Sequence, residues 1–389
     1  MTNSFLNNAI IYEATLFSHH GRKQDISTVF NGITIYESIH QYYLRGFINL
    51  TNTGDFLKNF PIVGGETLRI VFGDNKTQVS RWVDFVITGI DSQPNATDET
   101  NRNFYYTLKL LSHVGLDAYK FRFSRRFDNT PTWILQEIMP LIQTHSTSGF
   151  KTINTRGSYS NMDFVSNFWN AHELIHYLCH ENADSVFFET IDQFHFDKIS
   201  TLLKQAPSEE LISSTSLETH IQPNAVQLKA FNEYFDIEQT YLNGGFGRLA
   251  YSLIPESYNH QIHAELLSNF LDKYPKLGMN QQLSKSLSTP FNDVNVTFDD
   301  PRDRIERRLA LETIKNYQLV VKLYGVATRN VGKIILYNLP PSDGQIANEN
   351  FSGKWLITEI RHDIGADRVY KQNVKIVKNA FFNNFRVER

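Results

Sequence analysis

The chain has 389 residues with 38 basic against 41 acidic side chains, a formal net charge of −3 at pH 7 that excludes a strongly basic nucleic-acid binder. Its single cysteine, Cys179, excludes an intrachain disulfide framework and fits folding in a reducing cytoplasm. No apolar run approaches the ~20 residues of a membrane span and Met1 to Asn8 lacks the features of a signal peptide, so a soluble, non-exported chain of two to four domains is expected. Aromatic side chains are abundant, with 29 Phe and 18 Tyr. They favour pleated surfaces and protein interfaces, hence a β-rich protein that commits surface to partners.

In chain order, residues up to about 110 alternate as strands. The runs are Ile10 to Ser18, Ile33 to Tyr36, Tyr43 to Leu50, Leu68 to Phe72, Trp82 to Ile87 and Tyr105 to Leu111. Turn residues at 52–55, 64–65 and 73–75 separate them, and Asp55 to Phe60 is helix-like. Six short strands predict a small antiparallel barrel. A helix is predicted over Pro131 to Ile142, with Pro131 in the first turn. A second is predicted over Asn161 to His180, capped by Ser160 or Asn161. A strand at Val186 to Thr190 and a helix at Asp197 to Lys204 complete an α/β region. Residues 206–222, rich in Ser, Glu and Thr, read as a connector.

Strands then return at Phe235 to Leu242 and Gly247 to Ile254, with Gly244-Gly-Phe-Gly as a hairpin turn between them. Residues 256–300 are polar, partly helical, and read as an insertion. Asp300 to Ile314 is a predicted helix whose apolar face includes Ile305, Leu309 and Leu311. Four strands finish the chain at Tyr317 to Tyr324, Val331 to Leu339, Trp355 to Ile364 and Tyr370 to Val377. The predicted architecture is α+β, with two antiparallel β-barrels, an α/β domain and a partly helical insertion. Its boundaries are 1–112 for the first barrel, 113–205 for the α/β domain, 206–255 with 301–380 for the second barrel, and 256–300 for the insertion.

Several of these segments resemble a known family. Asp25-Ile-Ser-Thr-Val-Phe-Asn-Gly-Ile-Thr-Ile-Tyr-Glu-Ser-Ile, Gly46-Phe-Ile-Asn-Leu-Thr-Asn and Phe60-Pro-Ile-Val-Gly-Gly-Glu-Thr-Leu-Arg-Ile-Val-Phe resemble the opening of baseplate hub proteins of T-even-like contractile-tail phages. Ser185 to Leu202 is similar to that family's aromatic hairpin and short helix. Phe351-Ser-Gly-Lys-Trp-Leu-Ile-Thr-Glu-Ile-Arg-His-Asp-Ile, followed by Tyr370 to Val377, is similar to its closing hairpin. VgrG proteins of bacterial secretion systems share the design. The resemblance implies tube-type barrels, a homotrimer presenting six similar modules, and a structural, non-enzymatic role without cofactors. It also implies the partners: a six-fold tail tube protein above, a three-fold central spike protein below, baseplate wedge proteins at the side, and DNA in transit through the bore. The implied location is the virion tail baseplate, assembled in the host cytoplasm; a related bacterial injection machine is the same architecture elsewhere.

One motif points to other chemistry. Residues 172–176 read His-Glu-Leu-Ile-His, the HExxH pattern of zinc peptidases. On a helix His172 and His176 lie one turn apart and could ligate zinc, with Glu173 as general base and Glu181, Asp184 or Glu189 as third ligand. The alternative function is therefore a zinc-dependent metallopeptidase. Against it stands a structural helix whose Phe164, Phe168, Leu174, Ile175 and Leu178 pack on a sheet; this is the preferred reading, with no catalytic, cofactor or metal residue assigned. The pair His19-His20, the cluster Arg122 to Arg126 and Arg302-Asp-Arg-Ile-Glu-Arg-Arg read as surface or interface features.

Overall fold

The computed structural model describes residues 8–51, 59–75, 77–93, 105–143, 150–213, 225–234, 238, 242–243, 246–254, 259–278, 291–297, 302–314, 317–338 and 352–380. The predicted helix-like Asp55 to Phe60 and the turns at 52–55 and 244–245 lie wholly or mostly outside them.

The first region forms β1 (Ala9–Phe17), β2 (Lys23–Asp25), β3 (Phe30–Ser38), β4 (Arg45–Thr51), β5 (Thr67–Asp74), β6 (Ser80–Gln93) and β7 (Tyr105–Ser112). Period-two burial is clearest in β4, where Gly46, Ile48 and Leu50 face inward and Arg45, Phe47 and Asn49 outward. The middle region forms α1 (His113–Lys120), β8 (Arg122–Phe123), β9 (Arg126–Asn129), α2 (Pro131–Ile142), β10 (Ile153–Arg156), β11 (Met162–Val165), β12 (Trp169–Asn170), α3 (Ala171–His180), β13 (Ser185–Glu189), β14 (Phe194–Lys198) and α4 (Ile199–Leu203). The remainder forms β15 (Pro207–Ser213), β16 (Ala225–Tyr234), β17 (Gly247–Ile254), β18 (Asn259–Leu266), α5 (Leu267–Lys273), β19 (Phe291–Thr297), α6 (Arg302–Thr313), β20 (Tyr317–Tyr324), β21 (Ile334–Asn338), β22 (Gly353–Gly365) and β23 (Tyr370–Lys378).

The chain is mostly β-sheet with few helices, an α+β fold. Strands from both ends run into one thirteen-stranded sheet, in the order β2-β1-β5-β6-β7-β4-β3-β22-β21-β15-β16-β20-β23. The seam is β3 against β22, antiparallel from Glu359↔Ser38 to Gly365↔Gly32. Beyond it the pairings run β21–β22–β23–β20–β16–β15 and back to β21.

Three local expectations are corrected. Helix α3 begins at Ala171 rather than near Asn161, because Met162–Val165 instead pairs with β9. Phe164 there stacks on Phe127 and Trp169, so neither it nor Phe168 belongs to the helix face. The supposed connector contains β15, which runs parallel to β21; a Ser- and Glu-rich segment becomes a strand because its partner arrives from far along the chain and Leu211 is buried there. The predicted strand at Phe235 to Leu242 lies mostly outside the described residues; the strand described before it is β16. Strand β17 pairs with β18 and β19 in a separate three-stranded sheet, so it associates with the segment 256–300, which carries strands as well as a helix.

Among the described residues, buried apolar side chains gather in three clusters. One includes Leu16, Ile35, Ile48, Phe72 and Phe85 of the first region. One lies between α2, α3 and the β13–β14 hairpin, with Ile138, Leu174, Leu178, Phe187 and Phe196. One surrounds Trp355, Leu319, Val321 and Ile376. Buried charges join them. The Glu37 carboxylate on β3 accepts from Ile191 N (2.9 Å) and Val331 N (3.3 Å) and lies 3.6 Å from His362 Nε2. Glu189 accepts from Leu44 N (3.0 Å), Ser112 Oγ (3.0 Å) and Lys151 Nζ (2.7 Å). Arg329 pairs with Glu209 through two nitrogens at 2.6 and 2.8 Å and also donates to Gln372. Each of these buried charges is paired, as burial demands.

Candidate functional site: the cleft beside His172 and His176

Helix α3 starts where it does because Asn170 and Glu173 form a capping box. Asn170 Oδ1 accepts from Glu173 N and Glu173 Oε2 accepts from Asn170 N, both at 2.8 Å. Glu173 therefore satisfies the helix start instead of standing free as a base. His172 and His176 do share a face, as their spacing requires. His176 Nδ1 lies 3.0 Å from the Tyr42 hydroxyl. The His172 ring packs among Tyr42, Tyr43 and Tyr119, with centroids 5.2, 5.9 and 4.9 Å away.

The other residues proposed as a third ligand are engaged elsewhere. Glu181 pairs with Arg304 at 2.7 Å. Asp184 accepts from Ser200 N (2.8 Å) and Tyr274 Oη (3.0 Å). Glu189 is held by Lys151 as described above. Among the described residues no group of three His, Cys, Asp or Glu is arranged to hold a metal ion. Replacing Glu173 by Gln keeps a side-chain acceptor for Asn170 N and is expected to leave the melting temperature nearly unchanged. Asn170→Ala should cost ~1 kcal/mol. Thermal melts of the two variants, with metal analysis of the purified chain showing no stoichiometric zinc, check this reading of the motif.

The two histidines line a cleft of about 510 Å³. Its walls come from the β3–β4 connection (His40, Tyr42, Tyr43), from Arg45 at the start of β4, and from α1, α3, β13 and α6. Burial holds the His172 imidazole below the ordinary histidine range, and a positive His176 adds to this; Glu173 opposes and Arg45 assists. His176 is lowered by burial and by the charges of His180 and Arg307. The nearby Cys179 thiol is wholly buried and pushed up to about 12 by that burial, which makes it unreactive packing.

Sequence reading found His172 and His176, and Arg307 only as part of a charged run, but none of Tyr42, Tyr43, Arg45 or Tyr119. With His172 and His176 they come from four separate segments, and no local signal ties them together. The cluster Arg122 to Arg126 lies at the surface, as read from the sequence, where its arginines meet partners of this chain. Arg125 pairs with Glu137 at 2.6 Å, Arg126 grips Asp163 through two nitrogens at 2.7 and 2.5 Å, and Arg122 donates to Phe168 O. His19 Nε2 lies 2.9 Å from Gly64 O at a turn.

No family model and no curated protein matches the sequence. Solved structures do match over nearly the whole length. A 43 kDa tail protein of prophage MuSo2 from Shewanella oneidensis superimposes with a TM-score of 0.59 at 11% identity, covering 95% of this chain and 99% of that one. A tail protein from Neisseria meningitidis gives 0.54 at 7% identity, covering 94% and 96%. A prophage tail protein from Listeria monocytogenes gives 0.53 at 9% identity, covering 95% of each chain. A chain of the Francisella PdpA–VgrG complex gives 0.51 at 11% identity, with 98% of this chain matched to 55% of that one. At these identities the likeness is one of fold: this chain has the fold of phage tail proteins, shared with the VgrG-containing complex.

Proposed function

We propose that the chain is a non-enzymatic, structural subunit of a tail baseplate: a homotrimeric hub that joins a six-fold tail tube to a three-fold central spike and leaves a channel for DNA. The observation that carries this reading is the end-to-end fold likeness to three tail proteins, covering at least 94% of this chain and 95% of theirs. The ring of pairings through β15, β16, β20, β21, β22 and β23 supports a tube-type module within 206–255 and 301–380, from which β17 departs to pair with β18 and β19 of the insertion. The antiparallel run of β1 and β3–β7 supports 1–112 as the other. Residues 113–205 and 256–300 are then the α/β domain and the insertion.

A ring needs heterologous contacts repeated around its axis, and two similar modules per chain let a trimer present six of them to the tube. Exposed aromatics on the α/β region, among them Trp133, Phe150 and Phe168 at 49%, 64% and 66% exposure, are surface available for wedge or neighbouring-subunit contacts. The near-neutral charge suits a bore that DNA must leave, since each phosphate neutralised would add affinity. The location is accordingly the virion tail, after assembly in the host cytoplasm. The buried arrangement of Glu189 and the capping role of Glu173 favour this over peptidase chemistry. Native mass spectrometry of the purified chain, alone and co-expressed with its spike, is expected to show a trimer whose interfaces bury more than ~2,000 Å². A strict monomer with the spike bound would sink the hub reading.

A further inference from the structure

The cleft beside α3 has an unusual charge inventory. Its lining includes two arginines and three histidines but no aspartate or glutamate, in a chain where acids outnumber Lys and Arg. Neither Arg45 nor Arg307 has an ion-pair partner among the described residues; Arg307 only donates Nε to Ser185 O at 3.2 Å. Elsewhere, Arg69, Arg81, Arg125, Arg126, Arg304 and Arg329 all meet carboxylates within 3.0 Å. Tyr43 and His172, both in the lining, each hold a buried polar atom, Oη and Nδ1, with no hydrogen-bond partner among the described residues. The rest of the wall is mainly apolar and aromatic: Tyr42, Tyr119 and Leu311 in front of the buried Ile39, Val186 and Phe187, with Gln41 beside them.

Cationic groups above an apolar floor select a ligand that carries both an anion and an apolar body. We propose that this cleft docks an acidic, apolar peptide segment of a partner protein, its carboxylate between Arg45 and Arg307 and its apolar side chain on the partly buried Tyr42 and Leu311. Guanidinium forks match carboxylates in geometry, and the aromatic walls shield the pair from water. A nucleic-acid strand fits less well, because it needs a cationic track along its backbone rather than one depression with an apolar floor. That the ligand belongs to a protein rests on the assembly reading above; the anion chemistry of the cleft does not.

The test uses the full chain and a fluorescein-labelled peptide of alternating Asp and Leu, with a counterpart carrying Asn for Asp, followed by fluorescence polarisation. The Asp peptide is expected to bind with a Kd of roughly 1–100 μM. Its Asn counterpart, and the Arg45→Ala and Arg307→Ala variants, should each bind at least about tenfold more weakly, with Arg45→Lys recovering part of the loss. Arg45 is exposed, so its variants report binding even where Arg307→Ala lowers the melting temperature. Equal binding of the two peptides, wild-type affinity in Arg45→Ala, or no binding of the Asp peptide overturns the proposal. Displacement of the peptide by oligothymidylate at equal charge concentration overturns it in favour of a nucleic-acid site. Oligomeric state is read separately: a trimer without peptide binding sinks the cleft alone, whereas a monomer that binds the peptide sinks the hub reading alone.

Discussion

Replacing Glu37 by alanine is expected to cost ~3–5 kcal/mol, a large part of a typical margin of ~5–15 kcal/mol. Glu37 is 1% exposed and sits where three parts of the chain meet. One oxygen accepts from Ile191 N in the β13–β14 connection, the other from Val331 N before β21, and His362 of β22 faces it. Alanine leaves two buried N–H groups without an acceptor, each costing ~1–3 kcal/mol, and removes the imidazole's charged neighbour. Glu37→Gln keeps one acceptor oxygen and should lose less. The pH dependence has a definite sign. Burial by itself raises the Glu37 carboxyl, but the His362 imidazole 3.6 Å away, with the two backbone N–H groups, outweighs it and holds the carboxyl below the ordinary glutamate range. A carboxyl with a depressed folded-state pKa adds stability above its unfolded value, about 4.3, and loses it as pH falls through the folded value. Urea melts from pH 7 downward should therefore show the wild type losing more stability below about pH 4.3 than Glu37→Gln. Identical acid profiles, or an Ala variant as stable as wild type, would remove Glu37 from its place at the junction.

Trp355→Ala is expected to cost a further and independent ~3–5 kcal/mol. Trp355 is fully buried on β22, paired with Ile335 of β21, and Lys378 Nζ lies 4.7 Å from its ring centroid. Strict alternation would bury Trp355 and Ile357 together and turn Ile360 to the opposite face. Instead a bulge between Ile357 and Glu359 resets the register against β23, and Trp355, Leu356, Ile357, Thr358 and Ile360 are all buried. Because β22 pairs with β3, β21 and β23, a cavity at Trp355 weakens the strand that joins both halves of the large sheet. Thermal melts together with separate tube-docking and spike-binding assays are the measurement. Docking to the tube should fail before spike binding does. Unchanged melting and unchanged docking would mean that this strand does not form the tube-facing module.

Where a segment's own pattern determined its structure, the sequence was informative. Pro131 to Ile142, Gly247 to Ile254 and Tyr317 to Tyr324 are found with the predicted bounds, because a first-turn proline or an unbroken apolar alternation is a local signal. The error at Asn161 to His180 has a local cause too. Phe164 and Phe168 happen to continue the helical spacing of Leu174 and Leu178, while the competing pairing of β11 with β9 depends on residues some thirty-five positions earlier. Strand β15 carried no signal at all, since its partner β21 decides it. The cleft was partly legible: the His172–Glu173–His176 spacing placed the one wall that α3 supplies, but the same residues were open to a zinc reading, which the capping box of Glu173 argues against. Nothing in the sequence paired Arg45 with Arg307, because only the packed fold does so.

The seam between β3 and β22 carries a consequence for how the molecule is made. Residues 32–38 must wait for residues 359–365 before their second edge is paired, and at ~5–20 residues per second of synthesis that interval is on the order of half a minute. Throughout it, the nascent first module holds Ile33 and Ile35 on an open edge beside Glu37, a carboxylate not yet given its distant Val331 and His362 partners. An ionised side chain on a waiting edge opposes premature pairing with another chain, so the residue that later locks the junction also protects the unfinished strand on the ribosome.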